Sequence, residues 1–255
     1  MEKEALVGGR TGKIQKVGDT VIRPANIWTT NVHSFLRYCI DEGSVFVPTP
    51  YGINNDGDEM VSYMPGDVYN ALPSSLLSDS LIVSAATLLR KLHELGEQYI
   101  PKLTSKEQWM LPVVSPVEVM CHGDFAPYNV TIVNGKAHGI IDFDTLHPGS
   151  RMWDIVYAVY RWVLSIDCRF YGKVDEQIQK TKLFLDSYGV KTDDRHGFVE
   201  LLVKRLESLM DYMKCQAQSG NTDFQQHIDD GHLQVYLSDI EYIKKHELEI
   251  SQGIM

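Results

Sequence analysis

The sequence predicts an α+β protein, with antiparallel β-hairpins in its first quarter and helices through most of the remainder. Three observations carry this. Turn-forming pairs separate short β-forming runs at Gly18-Asp19, Asn54-Asn55-Asp56-Gly57 and Asn134-Gly135, and such pairs favour tight hairpins. From about residue 73, apolar residues recur at three- and four-residue intervals, as one buried face of a helix requires. Between these patterns lies MCHGDFAPYNVTIVNGKAHGIIDFDT, residues 120–145, a hairpin edged by polar residues.

Taken in order, residues 6–23 read as a hairpin entered through a glycine-rich turn containing Gly8, Gly9 and Gly12, with strands Ile14–Val17 and Thr20–Arg23. A glycine loop lets backbone N–H groups approach phosphates closely. Pro24 ends the second strand. A helix follows from Thr29 or Thr30, either a competent N-cap, through Val32, Phe35, Leu36 and Ile40 to Gly43. A second hairpin pairs Tyr51–Ile53 with Met60–Tyr63, and Met64-Pro65-Gly66 closes it, since proline does not continue an interior strand. Leu77, Leu81, Ile82, Ala85, Leu88, Leu89 and Leu92 mark the next helix, and a proline-punctuated connection covers 99–119. Beyond the central hairpin, helices are expected at about 151–165, 174–188, 196–218 and 232–249.

The composition is that of a folded chain: 44% of 255 residues are hydrophobic and 23% charged, enough to bury a sizeable core. The charged start, Met-Glu-Lys-Glu, has no apolar stretch of a secretory signal, and no apolar run is long enough to span a bilayer. Cys39, Cys121, Cys168 and Cys215 have no short spacing suited to zinc or a redox pair. A cytoplasmic protein with reduced thiols and no membrane partner is therefore expected. The net charge of −10 argues against nucleic acid and suits a cationic ligand.

The chemistry is concentrated at 120–145. Asp124 precedes Asn129 by five residues, and Asp142 stands thirteen further on. Closing the hairpin brings Asn129, just before its first strand, beside Asp142, at the end of its second, with Asp124 in the loop ahead. A carboxylate and an amide oxygen make a ligand pair for a hard cation such as Mg²⁺, which commonly shares its coordination with substrate phosphates. The order His122-Gly123-Asp124, four residues, Asn129, then Asp142-Phe143-Asp144 resembles the catalytic loop and metal-binding motif of the protein kinase-like phosphotransferases. With Gly after the histidine and Asp after the phenylalanine, it is similar to the aminoglycoside phosphotransferase and choline kinase-like branch.

The resemblance implies a two-lobed protein kinase-like fold: a small antiparallel β-rich lobe at 1–64, a hinge at 65–66 and a larger helical lobe at 67–255. It implies transfer of the γ-phosphoryl group of ATP or GTP to a hydroxyl of a small acceptor such as an aminoglycoside or amino alcohol. Asp124 would accept or orient the acceptor hydroxyl, and Asn129 and Asp142 would hold Mg²⁺. Asp144 is a candidate for the metal or the acceptor. Gly9, Gly12 and Arg23 would meet the phosphates, and Ser62, Tyr63 and Met64 the base. His122 and Asp154 would brace the loop from behind.

Kinases pair a strand lysine with a helix glutamate. Here Arg23 is offered instead, and His33 stands where the glutamate is expected, so the pair is replaced or lost. Glu207 and Asp211, four apart on one helix, with Asp229 and Asp230, are candidate acceptor contacts for a cation. Two rival readings exist. A phosphohydrolase lacks the further ligands of a two-metal site. A catalytically silent nucleotide- or metabolite-binding regulator would have no need of Asp124, Asn129 and Asp142 together.

Overall fold

The computed structural model describes residues 3–5, 14–166 and 173–255. Gly9 and Gly12, with the glycine-rich turn expected around them, lie outside the described residues. The chain packs as two compact units, one formed by 1–71 with 88–151 and the other by 72–87 with 152–255.

The first unit is built on a five-stranded antiparallel sheet in the order β1-β2-β3-β5-β4, with β1 Lys3–Ala5, β2 Gln15–Val17, β3 Thr20–Pro24, β4 Pro50–Ile53 and β5 Asp58–Ser62. The β4–β5 turn is fixed by Asn54, whose side-chain oxygen accepts from the backbone N–H groups of Asp56 and Asp58, both at 2.9 Å. On the β3–β5 ladder Ile22 faces Met60 and Arg23 faces Glu59. Helix α1, Thr29–Asp41, buries Val32, Phe35, Leu36 and Cys39. Its N-cap is Trp28, with no side-chain cap bond. Thr29 instead accepts from the backbone N–H of Asn26 at 2.9 Å, a turn that competes with capping. Burial pushes the Cys39 thiol up to about 12.

Helix α2, Asp79–Tyr99, starts six residues after Pro73 and sinks Leu81, Ile82, Ala85, Ala86, Leu89 and Leu92 out of solvent. Each of the larger ones contributes roughly 1.5–3 kcal/mol of transfer free energy. Strand β6, Val119–Cys121, pairs with β9, His147–Gly149, a ribbon the sequence pattern does not announce. Between them β7, Val130–Val133, and β8, Lys136–Ile140, form the expected hairpin. Asn134 and Gly135 both take positive φ, 51° and 70°, as the favoured two-residue turn demands. Gly66 allows the preceding segment to lie on this hairpin: a Cβ there would stand 2.9 Å from that of Thr131, and Asp67 bridges Ile132.

The second unit is helical. Helix α3, Arg151–Trp162, is buried on nearly every side, while α4 is Val174–Tyr188 and α5 Phe198–Gln218. An unexpected short helix follows, α6, Thr222–Asp229, with Asn221 as its N-cap and no buried residue. The last expected helix is two, α7 His232–Lys245 and α8 Glu247–Gly253, broken at His246. Asp239 is buried and accepts from Tyr160 Oη at 2.6 Å and the Ile166 backbone N–H at 2.7 Å. Among the described residues no helix is long and apolar enough to cross a membrane.

Candidate active site

The loop between β6 and β7 carries the first functional groups, and its shape is held by His122. The backbone N–H of Asp124 donates to His122 Nδ1 at 3.2 Å, so the ring proton sits on Nε2, 3.0 Å from the carbonyl of Ile141. Both ring nitrogens thus tie loop to hairpin, and the ring packs edge-on against Phe143 with centroids 4.9 Å apart. Thr145 Oγ1 donates to the His122 carbonyl at 2.8 Å. Gly123 makes this closure sterically allowed: its φ is +82°, and a Cβ would lie 2.5 Å from the Thr145 carbonyl.

Asp124 is gripped at both oxygens. Tyr128 Oη donates to Oδ1 at 2.6 Å, and Asn129 Nδ2 donates to Oδ2 at 2.9 Å and to the Asp124 carbonyl at 3.0 Å. A short bond of this kind to an ionised acceptor is among the stronger ones, and two of them fix the carboxylate plane. Because the amide nitrogen of Asn129 faces Asp124, its oxygen is the group left for a cation. The Asn129 carbonyl accepts from the Ile141 backbone N–H at 2.9 Å, which places Asn129 next to Asp142 as the folded hairpin requires.

Asp142 occupies a left-handed conformation, φ 58° and ψ 69°. Non-glycine residues adopt this rarely, and such strain is concentrated at functional sites. Its carboxylate is 45% exposed. Asn129 and Asp142 together supply the hard oxygen donors that Mg²⁺ takes. Among the described residues no group of three or more His, Cys, Asp or Glu forms a metal cage. A cation on Asn129 and Asp142 would therefore complete its shell with phosphate and water, the usual situation for Mg²⁺.

Arg23 reaches this pair from β3. Its Nη1 lies 2.6 Å from Asp142 Oδ1 and its Nη2 3.1 Å from Asp144 Oδ1, while its Nε donates to Glu59 Oε1. Glu59 Oε2 in turn meets His33 Nε2 at 2.9 Å. Burial disfavours the charged guanidinium, but Asp142, Asp144 and Glu59 outweigh it and raise the Arg23 pKa above its ordinary value. Burial likewise works against the Glu59 carboxylate. The hydrogen bond from His33 and the charge and hydrogen bond of Arg23 prevail, holding it below the usual carboxylate range. Asp144 also accepts from Trp28 Nε1 at 3.2 Å.

Glu59, Trp28 and Tyr128 are the residues sequence reasoning missed. Glu59 is set opposite Arg23 by the β3–β5 register, which neither strand's own sequence announces. The missing helix carboxylate is thus answered from the sheet. The backbone N–H groups of Ser62 and Tyr63 donate to the carbonyls of Thr49 at 2.9 Å and Asp19 at 2.8 Å. Met64 is buried, and a Cβ on Gly139 would touch its Cε. Asp154 is fully buried in the first turn of α3. The acidic candidates of the second unit pair locally. Glu207 lies 3.7 Å from Lys244 and Asp211 3.5 Å from Lys214. Asp229 and Asp230 accept from Gln225 and Gln226 at 2.9 and 2.8 Å.

Residues 94–181, which span the loop at 122–129 and the β7–β8 hairpin, match the model of the phosphotransferase enzyme family. The chain is 26% identical over 212 residues to the trifolitoxin immunity protein of Rhizobium leguminosarum bv. trifolii, covering 78% of each chain. Its fold is that of a choline/ethanolamine kinase family protein from Mesorhizobium loti, at a TM-score of 0.61 and 16% identity, covering 99% of this chain and 93% of the other. It is also that of the aminoglycoside phosphotransferase APH(2″)-IIa bound to streptomycin and ATP, at a TM-score of 0.52 and 16% identity, covering 89% and 91%. The kinase-like α+β fold class, with a small antiparallel sheet and a mostly helical remainder, is therefore the observed one. Aminoglycoside phosphotransferases and choline/ethanolamine kinases are phosphotransferases acting on hydroxyl groups.

Proposed function

We propose that this chain, whose residues 94–181 match the phosphotransferase enzyme family, transfers the γ-phosphoryl group of ATP to a hydroxyl of a small acceptor. The observation that carries this is the double clamp on Asp124, one side of which is also the candidate metal ligand Asn129. A carboxylate so fixed can accept a hydroxyl proton or align the hydroxyl oxygen for attack. Arg23, directed at Asp142 and Asp144, supplies positive charge to the departing nucleotide phosphates. Asn129 Oδ1 and the Asp142 carboxylate would hold Mg²⁺, whose contribution is to neutralise phosphate charge. Phosphoryl transfer needs mostly positioning and charge neutralisation, so this set of residues is sufficient.

The donor chemistry supports the cation: the Asn129 amide oxygen and the half-exposed Asp142 carboxylate are the hard oxygen ligands that a divalent ion takes. ATP as donor is supported by the ATP complex of the fold relative. For the acceptor, the net charge of −10 favours an amino-bearing molecule, with Glu207, Asp211, Asp229 and Asp230 as its candidate contacts. The similarity to an immunity protein supports a second reading of the physiological role, in which the acceptor is a toxic compound inactivated by phosphorylation.

The test is ATP consumption by the purified chain with Mg²⁺ against a mixed panel of amino alcohols, aminoglycosides and neutral sugars. Turnover stimulated by amino-bearing acceptors supports the proposal. Tight Mg²⁺-dependent ATP binding with no turnover against any acceptor would instead identify a silent nucleotide-binding regulator.

A further inference from the structure

We infer that Glu59 and His33 are positioning residues for the phosphoryl donor, acting through Arg23; the inference rests on reading Arg23 as the phosphate-binding cation. Arg23 presents three separate edges. Its Nε edge is held by Glu59, and its two Nη groups point the other way, to Asp142 and Asp144. Glu59 therefore decides the direction in which the guanidinium faces.

The placement follows from the ladder. Arg23 and Glu59 are direct cross-strand partners on β3 and β5, so both side chains leave the same face of the sheet. The contact needs no contribution from a carboxylate on α1, whose first turn has none. What α1 does contribute is His33, 5% exposed, whose Nε2–H occupies the second oxygen of Glu59. With Glu59 itself 2% exposed, both its oxygens are matched and its direction is fixed from two elements.

Stability alone does not account for this arrangement. A buried ion pair is often no more stabilising than apolar residues of the same volume, and an apolar pair at this rung would suit a β-sheet equally well. Arg23 is instead charged, largely buried and aimed at Asp142 in its left-handed conformation. Lysine would not serve in the same way, because its point charge lacks the separate Nε edge by which Glu59 steers the group.

The experiment is a double-mutant cycle on Mg²⁺·ATP affinity and on steady-state kinetics, with circular dichroism and thermal melts confirming the fold of each variant. Glu59→Gln should raise the nucleotide KM and Kd about tenfold, the size of one misplaced charge-assisted hydrogen bond, and leave the acceptor KM unmoved. Arg23→Gln and Arg23→Gln/Glu59→Gln should bind ATP equally, because Glu59 acts only through Arg23. His33→Ala should raise the nucleotide KM more than His33→Gln, which retains an N–H for Glu59. If Glu59→Gln does not fold, the charge-free double variant and the His33 pair still decide the matter. Unaltered nucleotide KM in folded Glu59→Gln and His33→Ala, or additive losses in the cycle, would overturn the inference while leaving the kinase reading intact. Failure of the wild-type chain to bind Mg²⁺·ATP would overturn both.

Discussion

Charged side chains are used in opposite ways in two regions of this chain. On β3 and β5, Arg23 and Glu59 are almost entirely buried, with side-chain exposures of 11% and 3%, and each contacts more than one charged or polar partner. On α5, Glu207 and Asp211 are 51% and 79% exposed, and each meets a single lysine at more than 3.4 Å. Exposed pairs of that kind contribute about 0–1 kcal/mol and are screened by salt. Buried ones are sensitive to the loss of either partner, because a lone charge is left out of water. Burial fixes the direction of Arg23 and Glu59 through several partners at once, whereas Glu207 and Asp211 are held by one exposed contact each.

Substitutions at the fixed groups should have the largest effects. Asp124→Asn should lower turnover by roughly 10²–10⁴-fold, the usual cost of removing a positioned base, while calorimetry finds nucleotide binding almost unchanged. Turnover within a few fold of wild type would remove Asp124 from that role.

Asp142→Ala should abolish the magnesium-dependent part of nucleotide binding, and Asn129→Ala should weaken it. The loss at Asp142 should exceed the roughly 10–100-fold typical of groups that only support a metal ligand. Titrations with and without magnesium read this directly; enthalpies indifferent to the metal in wild type and variants would refute it.

Arg23→Ala should raise the nucleotide KM and destabilise the fold by roughly 3–5 kcal/mol, since Glu59 is then a buried carboxylate without its cation. Arg23→Lys should restore part of the binding through its charge. Chemical denaturation measures the first effect. Equal stability of the alanine variant and wild type would place Arg23 among the screened surface charges.

A smaller effect is expected in acid. The folded pKa of Glu59 is depressed below its ordinary value, so the unfolded chain takes up a proton at a pH where the folded chain does not. Its stabilising contribution is complete above the ordinary carboxylate pKa and is lost as pH falls through the depressed folded value. The melting temperature of Glu59→Gln should therefore fall less steeply than that of wild type below about pH 4.5. Parallel curves would contradict the assignment.

The smallest effects belong to α5. Glu207→Gln and Asp211→Asn should each change stability by less than about 1 kcal/mol. If these acids attract a cationic acceptor, its KM should rise between low and high salt, while the nucleotide KM changes less, because exposed charges are screened over about 8 Å at physiological ionic strength. An acceptor KM insensitive to both salt and these substitutions would leave the acids as solvated helix faces.

By itself the sequence determined what is local. Asn134-Gly135 dictates a hairpin, and that hairpin brings Asn129 beside Asp142. The apolar spacing from Leu81 to Leu92 dictates a helix, since only one face of it can be buried, whereas Leu77, expected on the same face, lies ahead of the helix start at Asp79. The helix α6 was not legible because TDFQQHID is only eight residues long and has two apolar residues, Phe224 and Ile228, too few to set a pattern. The β6–β9 ribbon was hidden because its strands are three residues each and 25 residues apart. Only the tertiary structure decided the partners of Arg23. Glu59 is 36 residues from it, and Asp142 and Asp144 lie 119 and 121 away. No pattern along one strand encodes such a meeting; it arises when the ladder between β3 and β5 sets the register and the folded hairpin carries Asp142 and Asp144 to the same guanidinium. The physical reason is that backbone propensity acts over a few residues, whereas a buried charge finds its partners only once packing has excluded the water that would otherwise solvate it.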